Sequence, residues 1–149
     1  MMKFNSEADR DKIISLLEQN MNDEFAATLQ YVCHRISAQG RNQTLAEAFK
    51  SAALDEMAHI LFFSDLITKM GGVPRFSDWS IDKSDDIKTM IEQDIRLETS
   101  AIDRYTRQLD ELAAYPEIYS IIENVIIDEK DHMDIFSDYL SKIMSNRAD

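Results

Sequence analysis

With one cysteine in 149 residues, the chain cannot close an internal disulfide or build a thiolate metal site from its own residues. Cys33 is read as a small core residue. Proline, with two copies, and glycine, with three, are almost as scarce, and they fall where helices should stop rather than inside them. Long apolar runs are missing as well. No stretch approaches the roughly 18 residues a membrane span requires, and the opening MMKFNSEADRDK is polar and charged. A cytoplasmic protein with no membrane partner is expected. Basic residues are in deficit, 16 Lys and Arg against 28 Asp and Glu, for a net charge of −12. No nucleic acid partner is expected, because phosphate-backbone binding needs Lys and Arg clustered on one face. An acidic surface does attract divalent cations through its summed field.

What remains is helix. Hydrophobic residues make up 44% of the chain and charged ones 30%, enough for one domain, 1–149, with a real core. A first helix is predicted from Ser6, with Asp9 three residues on as a capping box, to about Ala38 before Gly40. Ile13, Leu16, Leu17, Met21, Phe25 and Leu29 keep helical spacing along it. A second starts near Asn42 or Thr44, with Glu47 completing a T-x-x-E signal, and ends at Met70 before Gly71 and Gly72. A third follows Ser84, with Asp85 and Asp86 suiting its positive end, and reaches about Ala114. Pro116 opens a fourth, which runs to about Met144.

The connections are unequal. Short turns join the first two helices and the last two, which makes two antiparallel hairpins. Gly72 to Lys83 is a twelve-residue link between them. A second helix of this size is about 42 Å long, and twelve extended residues reach about 40 to 43 Å. The link can therefore traverse the bundle lengthwise and leave helices two and three parallel. A shorter loop with a small helix around Phe76 to Trp79 is the alternative.

Two of the three histidines close the same pattern, Asp55-Glu56-Met57-Ala58-His59 and Asp128-Glu129-Lys130-Asp131-His132. Glu and His three apart share a helix face. An internal repeat reinforces the pattern: Glu24 precedes His59 by 35 residues, and Glu98 precedes His132 by 34. Tyr31 and Tyr105 each follow a lone glutamate by seven, on the same face two turns on. His34 has no such partner and is read as structural or surface.

Glu24, Glu56, Glu98 and Glu129 each lie near the middle of their own helix, so they meet in one layer. Four buried carboxylates repel one another and are costly to desolvate. Two divalent cations balance their charge, and the neutral imidazoles of His59 and His132 complete the two shells. Oxygen-rich ligation with one nitrogen per metal suits iron or manganese better than tetrahedral zinc. Two iron ions are the expected cofactor.

One Glu on helices one and three, with E-x-x-H on helices two and four, resembles the ferritin-like di-iron carboxylate proteins. Within them the chain is most similar to bacterioferritin. The stretches that carry the likeness are Asp23-Glu24 through Gln30-Tyr31, Leu54-Asp55-Glu56-Met57 with His59, Arg96-Leu97-Glu98, and Asp128-Glu129 with His132. The fold class implied is all-α, a ferritin-like four-helix bundle with one long crossover; no fifth helix is expected here, because helix four consumes nearly all of the 17 residues after His132.

The resemblance implies a ferroxidase that oxidises Fe2+ with dioxygen or peroxide, for iron storage or detoxification. Glu56 and Glu129 match the bridging carboxylates, Glu24 and Glu98 the terminal ones, and His59 and His132 the nitrogen ligands. Tyr31 matches a tyrosine that hydrogen-bonds a ligand carboxylate across the bundle, and Tyr105 is expected to do likewise. Asp55 and Asp128 are candidates for fixing the opposite imidazole, or are solvated helix-face residues. Met57 stands where the family ligates haem b at a dimer interface, although Ala58 and Ile60 replace the usual basic and small neighbours. Bacterioferritins close a 24-subunit shell with a short fifth helix, and only 17 residues follow His132. A homo-oligomer, at least a dimer, is expected. Two other readings stand beside the ferroxidase. One is a rubrerythrin-like peroxide reductase or di-iron oxidase without mineral storage, and the other a non-catalytic metal-binding bundle.

Overall fold

The computed structural model describes residues 2–146, so both ends of the expected 1–149 domain lie outside the described residues. Its regular elements are α1 (Glu7–Ala38), α2 (Gln43–Lys69), α3 (Ile87–Leu112) and α4 (Pro116–Asn146). Ser6 caps α1, its Oγ accepting the Asp9 N–H at 3.0 Å. At α2 the cap is Asn42, whose Oδ1 accepts the Leu45 N–H at 3.1 Å and the Thr44 hydroxyl at 3.0 Å. Glu47 closes no box there and accepts from the Gln43 amide instead. The third helix starts later than its sequence suggests, because Asp86 is the cap rather than a first-turn residue. Its carboxylate accepts both the N–H and the hydroxyl of Thr89, at 2.9 and 2.7 Å. Gly40 and Gly71 leave α1 and α2 with φ of 81° and 82°, a region that penalises a Cβ.

Side-chain partners fix the helix directions. Across α1 and α3, Asn20 meets Gln108, Tyr31 meets Glu98 and Arg41 meets the Asp85 carbonyl, so these two run antiparallel. Across α2 and α4, His59 meets Asp128 and Asp55 meets His132, again antiparallel. With α1 and α2 joined by a tight turn, α2 and α3 are therefore parallel, and the link between them runs the length of the bundle. No small helix forms at Phe76 to Trp79. The link is fastened to α1 along its course. The Asn22 side chain donates to the Arg75 carbonyl and accepts from the Ser77 N–H, and Gln30 accepts from the Asp82 N–H. The Phe76 and Trp79 rings pack on Phe25 at 5.1 and 5.6 Å. Phe25 is half-buried beneath them, and Leu16 and Leu29 are half-buried too, whereas Ile13, Leu17 and Met21 are core.

The core comes in two apolar clusters. One gathers Ile13, Leu17, Met21, Phe63, Ile67 and Ile122. The other gathers Tyr31, Leu45, Phe49, Met90, Ile91 and Phe136. Between them lies a layer of buried carboxylates and imidazoles, flanked by a reciprocal Asn20–Gln108 amide pair at 2.7 and 2.8 Å. No described helix is long and apolar enough to cross a membrane. Phe49 is fully buried, with ring centroids of Tyr31 and Phe136 at 6.4 and 5.4 Å. Phe49→Ala is expected to cost about 3–5 kcal/mol, read from the denaturant midpoint. A loss below about 1 kcal/mol would show that this end of the bundle is not close-packed.

Candidate metal centre

Each helix contributes to the central layer from its middle turns, where its own backbone hydrogen bonds are complete and the side chains are positioned by rigid elements. α1 supplies Glu24, α3 supplies Glu98, α2 supplies Glu56 and His59, and α4 supplies Glu129 and His132. All six are at most 4% exposed. Their ligand atoms form two overlapping groups able to hold a metal ion, Glu24–Glu56–His59–Glu129 and Glu56–Glu98–Glu129–His132, each with its atoms within 4.8 Å of one another. Glu56 and Glu129 belong to both groups, and the other four residues to one each.

The imidazoles are turned inward by their Nδ1 atoms. His59 Nδ1 lies 2.9 Å from Glu56, 3.3 Å from Glu129 and 3.6 Å from Glu24. His132 Nδ1 lies 3.2 to 3.4 Å from Glu56, Glu129 and Glu98, without hydrogen-bond geometry to any of them. The outward Nε2 atoms are held crosswise: His59 by Asp128 and His132 by Asp55, both at 2.8 Å. The aspartate preceding each E-x-x-H glutamate thus fixes the ring on the opposite helix, with its own side chain about half exposed. The tyrosines cross in the same way between α1 and α3. Tyr31 Oη donates to Glu98, and Tyr105 Oη donates to Glu24. Burial first, then the surrounding carboxylates, pushes both phenols well above their ordinary value, so they remain donors.

In the protein alone this layer is electrostatically incomplete. Burial, and then repulsion from Glu24 and Glu129, drives the Glu56 carboxyl well above the ordinary carboxylate range, and burial does the same to Glu98. Burial acts to lower both imidazoles, but the carboxylates 2.9 to 3.6 Å from each Nδ1 outweigh it and raise them. Glu129 moves down despite its burial, because both imidazoles lie 3.3 Å from it. The cluster is short of donors. Glu56 Oε1, Glu98 Oε2, both Glu129 oxygens and His132 Nδ1 are buried without a hydrogen bond. The bare acceptor atoms of Glu56, Glu98 and Glu129 belong to the two groups able to hold a metal ion.

Other residues fall outside the box. Met57 is 49% exposed on α2 and takes no part in it. Cys33 is half-buried rather than a core residue. His34 is buried, with Nδ1 2.7 Å from Asp94, whose other oxygen accepts from Gln30 at 2.8 Å. Sequence reasoning assigned Asp94 no role and named Gln30 only within the stretch that carries the family likeness. The signal was present, since Asp94 lies one turn before Glu98 and His34 one turn after Tyr31, which makes a second polar rung on the same two faces.

The raised Glu56 pKa has a stability consequence with a definite sign. A carboxyl raised in the native state destabilises the fold once the pH exceeds its unfolded value, near 4.5. Glu56→Gln is therefore expected to leave the metal-free protein as stable as wild type or more so at pH 7. The difference should shrink toward zero as the pH falls below about 4.5. Melting temperatures across pH 4–8 in chelator check this, and a variant melting well below wild type at pH 7 would contradict the electrostatic account.

The comparisons agree with this geometry. The family model described as Ferritin-like domain matches residues 14–145. No curated protein sequence matches the chain. Among solved structures, a ferritin-like di-iron-carboxylate protein from Bacillus anthracis str. Ames is 25% identical, with a TM-score of 0.83 over 91% of this chain and 99% of that one. The bacterioferritin of Desulfovibrio desulfuricans is 24% identical, with a TM-score of 0.87 over 96% of this chain and 86% of its own. The dodecameric thioferritin of Bacteroides fragilis, a bacterioferritin-related protein, is 20% identical, with a TM-score of 0.86 over 94% and 90%. From the central Glu/His layer, the antiparallel hairpins with their lengthwise crossover, and a family match across nearly the whole chain, this protein belongs to the ferritin-like domain family.

Proposed function

We propose that the chain is a ferroxidase that oxidises Fe2+ with dioxygen or peroxide at a centre of two irons, for iron storage or detoxification. The observation that carries this reading is the sharing of Glu56 and Glu129 between two four-residue ligand groups inside one subunit. Glu24 and His59 complete one position and Glu98 and His132 the other, so two M2+ ions neutralise four carboxylates. The D. desulfuricans bacterioferritin has a diiron site, and the B. anthracis protein is a diiron-carboxylate protein, which supports iron as the metal. Manganese suits the same oxygen-rich set.

Iron supplies the electrons, and the chain supplies ligands, orientation and a buried setting. Asp55 and Asp128 lock each ring with Nδ1 facing inward, and Tyr31 and Tyr105 orient the terminal carboxylates by donating to one oxygen each. Metal uptake displaces the protons shared among Glu56, Glu98 and the imidazoles. The tyrosine pair, one on each side of the box, is the feature that favours the second reading, a peroxide reductase without mineral storage. Sustained peroxide turnover with an external reductant and no retained ferric product would identify that activity.

A homo-oligomer is part of the proposal. Leu54, Met57 and Leu61 form an exposed apolar stripe on α2, 49–58% exposed, and the B. fragilis relative in fold is dodecameric. Haem is not part of it, since Ala58 and Ile60 offer no cationic partner beside Met57.

Anaerobic titration should bind two Fe2+ per chain. Air or peroxide should then produce the oxo-bridged ferric absorbance rapidly, and Glu129→Ala should lose both the second metal and the fast phase. Tight binding without oxidation would leave only a storage or binding bundle. Because protons must leave as metal arrives, the calorimetric enthalpy of Fe2+ or Mn2+ binding should vary with the ionisation enthalpy of the buffer. A buffer-independent enthalpy would contradict the proton-held cluster.

A further inference from the structure

The metal layer is flanked differently at its two ends, although the chain repeats itself. Glu24 and Glu98 stand 74 residues apart, as do Tyr31 and Tyr105, and the same interval separates Asn20 from Asp94 and His34 from Gln108. At one end Asn20 and Gln108 exchange two hydrogen bonds. At the other stand Asp94 and His34, 0% and 1% exposed, with Asp94 Oδ2 2.7 Å from His34 Nδ1 and Asp94 Oδ1 accepting from Gln30. The second ring nitrogen, His34 Nε2, is buried without a hydrogen bond.

Charge decides what that nitrogen carries. A net charge buried without compensation is costly, so Asp94 and His34 together are held neutral. Neutrality puts one proton between Asp94 and Nδ1 and a second on Nε2, whichever partner keeps the first. Nε2 is therefore a donor without an acceptor. His34 also lines a cavity of about 330 Å³ between α1 and the end of the crossover, together with Cys33, Ser37, Lys83, Ser84 and Asp85. Both walls are fastened. Arg41 Nη1 donates to the carbonyls of Ser37 and Asp85, one on each side, and Gln30 holds the Asp82 N–H. Ser84 Oγ accepts from the Asp86 N–H, which leaves its own hydrogen free to donate.

We propose that the His34 cavity is a binding site for inorganic phosphate. It lies apart from the six residues of the metal layer and does not depend on the ferroxidase reading. The Lys83 ammonium, the Ser37 and Ser84 hydroxyls and the His34 ring supply donors to phosphate oxygens, and the Arg41 guanidinium adds a second fixed positive charge at the edge. At ~30 Å³ per water molecule, the cavity has room for a phosphate ion and several waters. Asp85 sets the selectivity. Its carboxylate repels an anion that has no proton, but accepts from the P–O–H of hydrogen phosphate. Sulfate at neutral pH offers no such donor and leaves the repulsion uncompensated. A metal ion is the poorer fit, because Lys83 stands in the wall and, among the described residues, three or more ligand atoms converge only in the central layer.

Titration calorimetry on metal-free protein at pH 7 tests the site without phosphate binding to iron. Inorganic phosphate is expected to saturate at one per chain, and sulfate to bind about tenfold more weakly or worse. Asp94→Asn combined with His34→Gln rebuilds the Asn20–Gln108 pair of the other end, so it fills the core while removing the Nε2 donor. It should weaken phosphate about tenfold. Lys83→Ala, a surface change, should weaken it about fivefold, and Asp85→Asn should bring sulfate level with phosphate. No saturable phosphate binding, or equal affinity for sulfate in wild type, overturns the proposal. So does an unmoved phosphate affinity in Lys83→Ala, or in a double variant that melts like wild type. If the double variant does not fold, Lys83→Ala and the sulfate comparison decide.

Discussion

Four carboxylates buried in a single layer, between two apolar clusters, set the terms for everything else in this molecule. Such a layer is unstable in an ordinary core, because desolvation and mutual repulsion both oppose the ionised form. The fold answers with symmetry. Each hairpin delivers one lone glutamate and one glutamate–histidine pair, and both lone glutamates and both imidazoles are hydrogen-bonded from another helix. What remains is a set of bare acceptor atoms of Glu56, Glu98 and Glu129 beside an unbonded His132 nitrogen, in groups able to hold a metal ion.

The crossed contacts explain how the layer is held without closing it. Tyr31 and Tyr105 tie α1 to α3 through the terminal carboxylates, and Asp55 and Asp128 tie α2 to α4 through the imidazoles. Glu56 and Glu129 face the centre from α2 and α4, and both belong to each of the two groups able to hold a metal ion. By this division the two lone glutamates are oriented by neutral phenols and the two rings by carboxylates. The apolar clusters on either side, with Phe49, Phe136, Phe63 and Ile122 at their centres, supply the rigidity that keeps those distances.

Around this layer the symmetry is broken by charge. Arg104, ion-paired with Asp23, lines a cavity between α1 and α3, whereas the cavity between α2 and α4 is lined by Asp55, Asp128 and Asp131 with no Lys or Arg. The crossover adds a second asymmetry. It covers only α1, where Asn22, Phe25 and Gln30 receive it, and through Gln30 it reaches the buried Asp94–His34 pair one turn from Tyr31 and Glu98.

The sequence by itself determined a great deal here. The E-x-x-H pairs, the 34- and 35-residue repeat and the sparse glycines and prolines sufficed for four helices, their order and the six residues that meet, because helical period converts spacing into faces. The lengthwise crossover was legible as one of two options, since chain length bounds reach but does not choose a path. Tertiary structure alone decided what depends on two helices at once. It selected Asn42 over Thr44 as a cap, turned Asp86 from a first-turn residue into a cap, and left Phe25 half-buried under Phe76 and Trp79. It also paired Asp94 with His34 and placed Arg104 at one mouth of the box. None of these follows from spacing along a single helix, because each is settled by which side chain of a distant segment arrives within hydrogen-bond or ring-contact distance.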